Sequence, residues 1–160
     1  MQEIERKFLV LDDSYKREAF SHSHIRQGYI LSAGGRTVRI RLRDHSGYLT
    51  IKGPSNAAGL SRYEFEQQIP ESDAIYMLDH LCQPGQIDKT RWLVRSGSHV
   101  FEVDEFHALN APLVMAEVEL SSEDEPYERP PFIGAEVTGD RRYYNGHLSR
   151  RPYSTWQEET

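Results

Sequence analysis

The 160-residue chain has one cysteine, Cys82, which excludes an intramolecular disulfide. The pattern places it on an apolar helix face, where a thiol is inert rather than nucleophilic. No run approaches the ~20 apolar residues of a membrane span, and the opening MQEIERKF has no apolar signal stretch, so the expectation is a cytoplasmic chain without a membrane partner. A basic excess is also missing. The formal charge of -6 offers no overall field for nucleic acid, so any polyanion must meet a local basic site. There is no HExxH motif, Gly34-Gly35 lacks a Walker-A context, and no serine or cysteine has an evident partner base, which disfavours zincin, P-loop and covalent mechanisms. With no internal repeat, linker or low-complexity tract, one domain is expected, and Trp156 and the stretch after Pro152 read as a disordered or loosely docked tail.

What is abundant is alternation. Apolar and polar residues follow one another with period two in runs separated by Ala33-Gly34-Gly35, Ser46-Gly47, Gly53-Pro54-Ser55-Asn56 and Ser96-Gly97, which are turn sequences. The pattern predicts strands over 3–10, 24–31, 37–43, 48–52, 61–69, 86–95, 99–106 and 113–120, enough to close a small barrel. One helix is clear over 71–82, capped by Glu71 or Ser72, striped by Ile75, Leu78, Leu81 and Cys82, and stopped by Pro84-Gly85. Shorter helices are expected near 12–20 and 141–148, and the acidic stretch 121–128 reads as a solvated loop or helix start. The fold class expected is α+β, mainly antiparallel β, as an eight-stranded closed barrel with helices packed outside.

Alternate strand residues share a side, so the first strand sets Glu3, Glu5 and Lys7 against Ile4, Phe8 and Val10. The design repeats. Arg39, Arg41 and Arg43 oppose Val38, Ile40 and Leu42; Thr50 and Lys52 oppose Leu49 and Ile51; Arg62, Glu64 and Glu66 oppose Tyr63 and Phe65. Lys89 and Arg91 oppose Thr90 and Trp92, Glu102 and Asp104 oppose Phe101 and Val103, and Glu117 and Glu119 oppose Val118 and Leu120. One such strand describes only a sheet with a solvated face. Repetition on almost every strand, with arginine favoured among the basic positions, fits apolar faces packed outward on helices and charged faces lining the interior. Unpaired charge there is costly, so such an interior needs a bound counter-ion. Converging Arg and Lys suit a phosphate chain. Carboxylates such as Glu3, Glu5, Glu117 and Glu119 tolerate that phosphate only with a hard cation between them, Mg²⁺ or Mn²⁺.

The residues also carry a family resemblance. Glu3-Ile4-Glu5-Arg6-Lys7 resembles the ExExK signature of the CYTH superfamily, the triphosphate tunnel metalloenzymes. The succession after it is similar too: Arg26-Gln27-Gly28-Tyr29, Val38-Arg39-Ile40-Arg41, Thr50-Ile51-Lys52, Arg62-Tyr63-Glu64, Lys89-Thr90-Arg91, Glu102-Val103-Asp104 and Glu117-Val118-Glu119. Glu136-Val137-Thr138 and Asp140-Arg141-Arg142-Tyr143 resemble the close of short bacterial members. The resemblance covers nearly the whole chain and implies a CYTH domain over 1–150, a tail over 151–160, and triphosphate lying along an eight-stranded tunnel.

Residue by residue, the resemblance implies that Lys7, Arg39, Arg41, Lys52, Arg62, Lys89 and Arg91 bind phosphate oxygens. It implies that Glu3, Glu5, Glu117 and Glu119 hold metal, with Asp104, Glu102 and Glu64 as further candidates, and that Tyr29 and Lys7 act at the reactive phosphate. The activity implied is metal-dependent hydrolysis of inorganic triphosphate to pyrophosphate and phosphate. Adenylyl cyclase, nucleoside or thiamine triphosphatase activity and non-catalytic polyphosphate binding stay open as alternatives. A homodimer is likewise left open. His22 and His24 read as surface or packing histidines, and Trp92 is expected to face outward.

Overall fold

The computed structural model describes residues 2–159; Met1 and Thr160, the last residue of the expected tail, lie outside them. The described strands are β1 (Gln2–Val10), β2 (Ser21–Ala33), β3 (Arg36–Arg43), β4 (Ser46–Lys52), β5 (Ser61–Ile69), β6 (Ile87–Ser96), β7 (His99–Phe106), β8 (Val114–Glu119) and β9 (Ile133–Glu136). They pair antiparallel in the order β5-β4-β3-β2-β6-β7-β8-β1-β9, and β5 returns to β1, closing β1 to β8 into an eight-stranded barrel. All eight expected strands are present, β5 and β7 with the expected limits.

Two differences have a physical origin. β2 is longer than alternation predicts because Ser21–Ser23 and Ser32–Ala33, which carry no apolar rhythm, still complete ladders opposite Leu93–Arg91 and Thr37–Arg36. β9 is too short for a period to emerge. It forms on the edge of β1 through Phe8↔Glu136 and Val10↔Ile133.

The barrel is apolar outside and charged inside. Phe8, Phe101, Val103, Ala116 and Val118 leave β1, β7 and β8 outward and are buried with Tyr15 of α1 (Tyr15–Glu18) and with Phe132. Trp92 leaves β6 on the same outer side, edge-on to Tyr15 at 6.1 Å and stacked on His22 at 4.8 Å. α2 (Glu71–His80) covers β3 and β4. Its contact is so close that a Cβ on Gly47 would stand 2.7 Å from the Ala74 Cβ, which requires glycine there.

The α2 interface corrects the expected stripe. Ala74 and Leu78 are buried, with Met77 and Cys82 half-buried beside them, whereas Ile75 and Leu81 are 38% and 52% exposed. The helix ends at His80, so Leu81 is carried off its apolar face, and Pro70 precedes the helix without a side-chain cap. The C-terminal segment also differs from a loose tail. The turn Arg141–Tyr143, α3 (Asn145–Arg150) and the turn Tyr153–Glu159 pack over one end of the barrel, with Tyr143 and Leu148 buried on Ile87, Phe106 and Met115. The Trp156 ring lies 5.1 Å from Tyr143 and 4.9 Å from Tyr153, and Asn110 Oδ1 accepts the Tyr153 N–H at 2.8 Å. Among the described residues no helix is long and apolar enough to cross a membrane.

Leu78→Ala leaves a hole under α2 and should cost about 2–5 kcal/mol. Leu81→Ala should stay within about 0.5 kcal/mol. Urea unfolding of the two variants measures the difference, and equal losses would contradict this helix register.

Candidate functional site

Strand alternation sends the charged faces into the lumen, where a cavity of about 570 Å³ extends from Arg43 and Tyr48 at one end of β3 to Gly35 and Arg36 at the other. Of the expected site residues, Glu3, Glu5, Lys7, Tyr29, Arg39 and Arg41 line it. So do Lys52, Arg62, Glu64, Arg91, Glu102, Glu117 and Glu119, whereas Lys89 and Asp104 do not. Register sorts the signs. Across β1, β8 and β7 it sets Glu5 opposite Glu119 and Glu102 opposite Glu117, whereas β3 contributes Arg39 and Arg41. Like charges directly opposite in a sheet destabilise it, so folding alone does not account for this acidic arc.

The cations fall into two groups. Arg91 is clamped: its Nε and Nη2 donate to Asp104 Oδ1 and Oδ2 at 2.8 and 2.9 Å, and Nη1 donates to Glu102 at 2.9 Å. Fully buried Lys89 donates to the same Asp104 at 2.6 Å, so Asp104 serves two cations and stands behind the wall. By contrast, Arg41 and Arg62 have no carboxylate at ion-pair distance among the described residues. Arg41 Nε donates to Gln27 Oε1 at 2.8 Å, and Arg62 lies over the Tyr144 ring. Arg39 Nη2 donates to Thr50 at 3.1 Å and meets Glu66 only at 3.8 Å, and its buried Nε has no partner. Burial, with Arg39 and Arg91 adjacent, pulls Arg41 down to about 9, so it remains a guanidinium at neutral pH with its charge incompletely offset.

The carboxylates are crowded as well. Lys52 Nζ lies 2.9 Å from Glu3, and Lys7 Nζ lies 3.4 Å from Glu117. Burial, then the charges of Glu117 and Glu3, pushes Glu5 well above the usual carboxyl range. Glu64 shares a hydrogen bond with Glu3 and, with burial adding to that effect, rises to about 7; Glu3 falls to about 2 because Glu64 and Lys52 outweigh its burial. Burial also raises Glu119. Glu117 is held well below the usual range, its burial outweighed by Lys7 and Arg91.

The CYTH domain matches residues 1–148. The chain belongs to the CYTH family. It is 43% identical over 157 residues to an inorganic triphosphatase of Acetivibrio thermocellus, covering 98% of this chain and 99% of that protein. It is 36% identical over 154 residues to an inorganic triphosphatase of Nitrosomonas europaea, covering 93% and 97%. The crystal structure of an inorganic triphosphatase superposes with a TM-score of 0.61 at 31% identity, over 92% of this chain and 97% of its own.

CYTH tunnel enzymes use divalent metals, and the donor chemistry of this lumen fits one. Glu3, Glu5, Glu64, Glu117 and Glu119 offer only hard oxygen ligands, held together against their mutual repulsion. No three carboxylate, thiolate or imidazole groups converge as a finished cage among the described residues. A set completed partly by substrate oxygens and water suits Mg²⁺ or Mn²⁺ better than an all-protein cage.

Sequence reasoning missed the C-terminal contribution to the CYTH tunnel: Arg141, Tyr144, Asn145, His147 and Arg150 also line the cavity. They sit on a turn and a six-residue helix, which carry no strand rhythm. Gln27 was also missed, although it alternates with Tyr29 on β2; its buried amide donates to Tyr29 Oη at 3.5 Å.

The Asp104 clamp makes an acid-stability prediction. Burial raises the Asp104 pKa, but Arg91 and Lys89 outweigh it and lower the carboxyl to about 2, against about 3.9 for an unfolded aspartate. The unfolded chain binds more protons between those values, so this contribution is present above about pH 5 and is lost as the pH falls to about 2. Asp104→Asn should cost about 3–5 kcal/mol near neutrality by leaving Arg91 and Lys89 unbalanced, and should flatten the acid limb. Denaturant titrations between those pH values read both effects.

Proposed function

We propose that the chain hydrolyses inorganic triphosphate to pyrophosphate and phosphate, with Mg²⁺ or Mn²⁺ held in the acidic arc. The observation that carries this reading is the surplus of guanidinium charge on a closed wall. Arg41 and Arg62 converge on the cavity without a carboxylate at ion-pair distance among the described residues, and Arg39 meets only Glu66 at 3.8 Å, so a phosphate chain would supply the missing anion in bidentate form. The two triphosphatase relatives, matched over nearly their full length, support the same substrate.

The inorganic substrate is favoured over a nucleotide by the state of the aromatic rings. Three tyrosines line the cavity. Arg43 donates to the Tyr48 hydroxyl at 2.9 Å, Lys7 Nζ and Arg62 Cζ lie 5.1 and 5.6 Å from the Tyr144 ring centroid, and Tyr29 is 6% exposed. Each ring is thus already engaged by a cation or buried, which favours a substrate without a base to stack.

Phosphoryl transfer asks mainly for alignment and charge stabilisation. Arg39, Arg41, Arg62 and Lys52 contact the phosphate oxygens, and Arg91, fixed by Asp104 and Glu102, adds a guanidinium that cannot swing away. Glu3, Glu5, Glu64, Glu117 and Glu119 would hold the divalent cation, with Glu102 on the same arc from β7. When bound, that cation would supply charge neutralisation for the phosphate chain and Lewis acidity. Lys7 and Tyr29 work at the reactive phosphate. Lys89 and Asp104 act from behind the wall by keeping Arg91 in place.

Phosphate release from inorganic triphosphate, ATP and thiamine triphosphate, with Mg²⁺, Mn²⁺ or chelator, tests the reading. Triphosphate turnover should dominate and vanish with chelator; cyclic AMP as the main product from ATP, or tight binding without turnover, would sink it. Arg41→Ala should lower kcat/KM about 10²- to 10³-fold by removing a charge aimed at the developing transition state. Glu5→Gln should raise the metal concentration for half-maximal rate about tenfold or more, with little change in triphosphate KM at saturating metal. Unchanged metal dependence would remove Glu5 from the metal set.

A further inference from the structure

Three consecutive residues of the C-terminal segment each engage a cation in the tunnel wall or directly behind it. The Tyr143 carbonyl accepts from Lys7 Nζ at 3.4 Å, the Tyr144 ring centroid lies 5.1 Å from Lys7 Nζ and 5.6 Å from Arg62 Cζ, and Asn145 Oδ1 accepts from Lys89 Nζ at 3.3 Å. The segment cannot slide freely, because Tyr143 and Leu148 on either side of it are buried in the apolar cluster at the barrel end and Arg150 donates to the Ser32 carbonyl at 2.8 Å. Tyr144 is thus held at a fixed depth.

Beside the ring, where β1 has left β5, lies a second cavity of about 10 Å³. Apart from Thr138, the residues that bound it also line the tunnel, Glu5, Lys7, Arg62 and Tyr144 among them, so it is a recess at the edge of the same space. Its outer wall is backbone on backbone: Gly59 and Gly139 both have positive φ, and a Cβ on Gly59 would stand 2.4 Å from the Gly139 Cα. That chamber has room for about one water, not for a phosphoryl group.

We propose that Tyr144 sets the length of the phosphate chain the tunnel accepts, acting as a stop that admits inorganic triphosphate and turns away longer linear polyphosphates. The inference rests on the triphosphatase reading. The face of an aromatic ring is negative, so it attracts the Lys7 and Arg62 cations and disfavours phosphate oxygens. A fourth phosphoryl group at this point would meet that face while losing the two cations the ring engages. Replacing the ring by a methyl group would widen the tunnel at this recess and free Lys7 and Arg62 to turn toward the added space.

The test compares linear tripolyphosphate with tetrapolyphosphate, by calorimetric binding and by phosphate release, in the unmodified chain and in Tyr144→Ala, Tyr144→Leu and Tyr144→Phe. Binding of tetrapolyphosphate relative to tripolyphosphate should improve about 5- to 10-fold in Tyr144→Ala, the scale of a lost steric and ring–cation effect, and should hold in Tyr144→Phe. Tyr144→Leu, which fills part of the space without a π face, should fall between them and guards against a folding defect in the alanine variant. An unchanged ratio in both Ala and Leu variants, or a Phe variant behaving like Ala, overturns the proposal. Binding without turnover in the unmodified chain would defeat the hydrolase reading while the binding ratio still decides the role of Tyr144; absence of binding defeats both.

Discussion

A small barrel whose lumen is charged must balance like charges that its own strand pairing forces together. Register sets Glu5 against Glu119 and Glu102 against Glu117, while Arg41 has Arg39 and Arg91 as neighbours. Neither arc favours folding by itself. Internal pairing offsets part of the cost, through Lys52 with Glu3, Lys7 with Glu117, and Arg91 and Lys89 with Asp104. The remainder is a positive surplus on β3 and a negative surplus on β1 and β8, which a polyanion and a hard cation would neutralise together.

Placing charge inside displaces the core to the outer surface, and the fold's remaining elements follow from that. α1 and the chain around Phe132 cover β1, β7 and β8, α2 covers β3 and β4, and the C-terminal segment covers the end where β6, β7 and β8 present Ile87, Phe106 and Met115. The third cover has two faces. Its apolar side anchors through Tyr143 and Leu148, and its polar side brings Tyr144 and Asn145 to Lys7 and Lys89. Stability and cavity shape are therefore coupled in this segment more tightly than in α2, which reaches only the outer face.

The lumen was legible because the side-chain period in a strand is two, so a single register decision placed Glu3, Glu5 and Lys7 together and did the same for every later strand. Family resemblance then assigned roles that alternation cannot assign. What stayed hidden lacks a period. Tyr144, His147 and Arg150 reach the cavity from a turn and a short helix, and β9 spans four residues. The error at α2 arose because Ile75, Leu78, Leu81 and Cys82 do follow helical spacing, but the helix stops at His80 and Ala74, a weak apolar signal, makes the closest contact. Alternation also could not separate Lys89 and Asp104 from the cavity: it tells which face a residue occupies, not whether a partner already occupies its charge.

That distinction between occupied and surplus charge divides the work among the cations. Arg91, held by three hydrogen bonds to Asp104 and Glu102, is a fixed landmark whose position does not depend on substrate. Lys89 is more weakly charged, because burial with Arg91 and Arg41 nearby draws it down to about 7 against the pull of Asp104. Its place behind Arg91 suits a buttress better than a phosphate ligand. Arg41 and Arg62 meet only an amide oxygen and an aromatic face, so binding an anion there breaks no strong ion pair. A phosphate chain would gain most where existing partners are weakest, and the proposed reading therefore centres it on β3 and the β1–β5 seam, near the carboxylates of β1 and β8 and the ring of Tyr144.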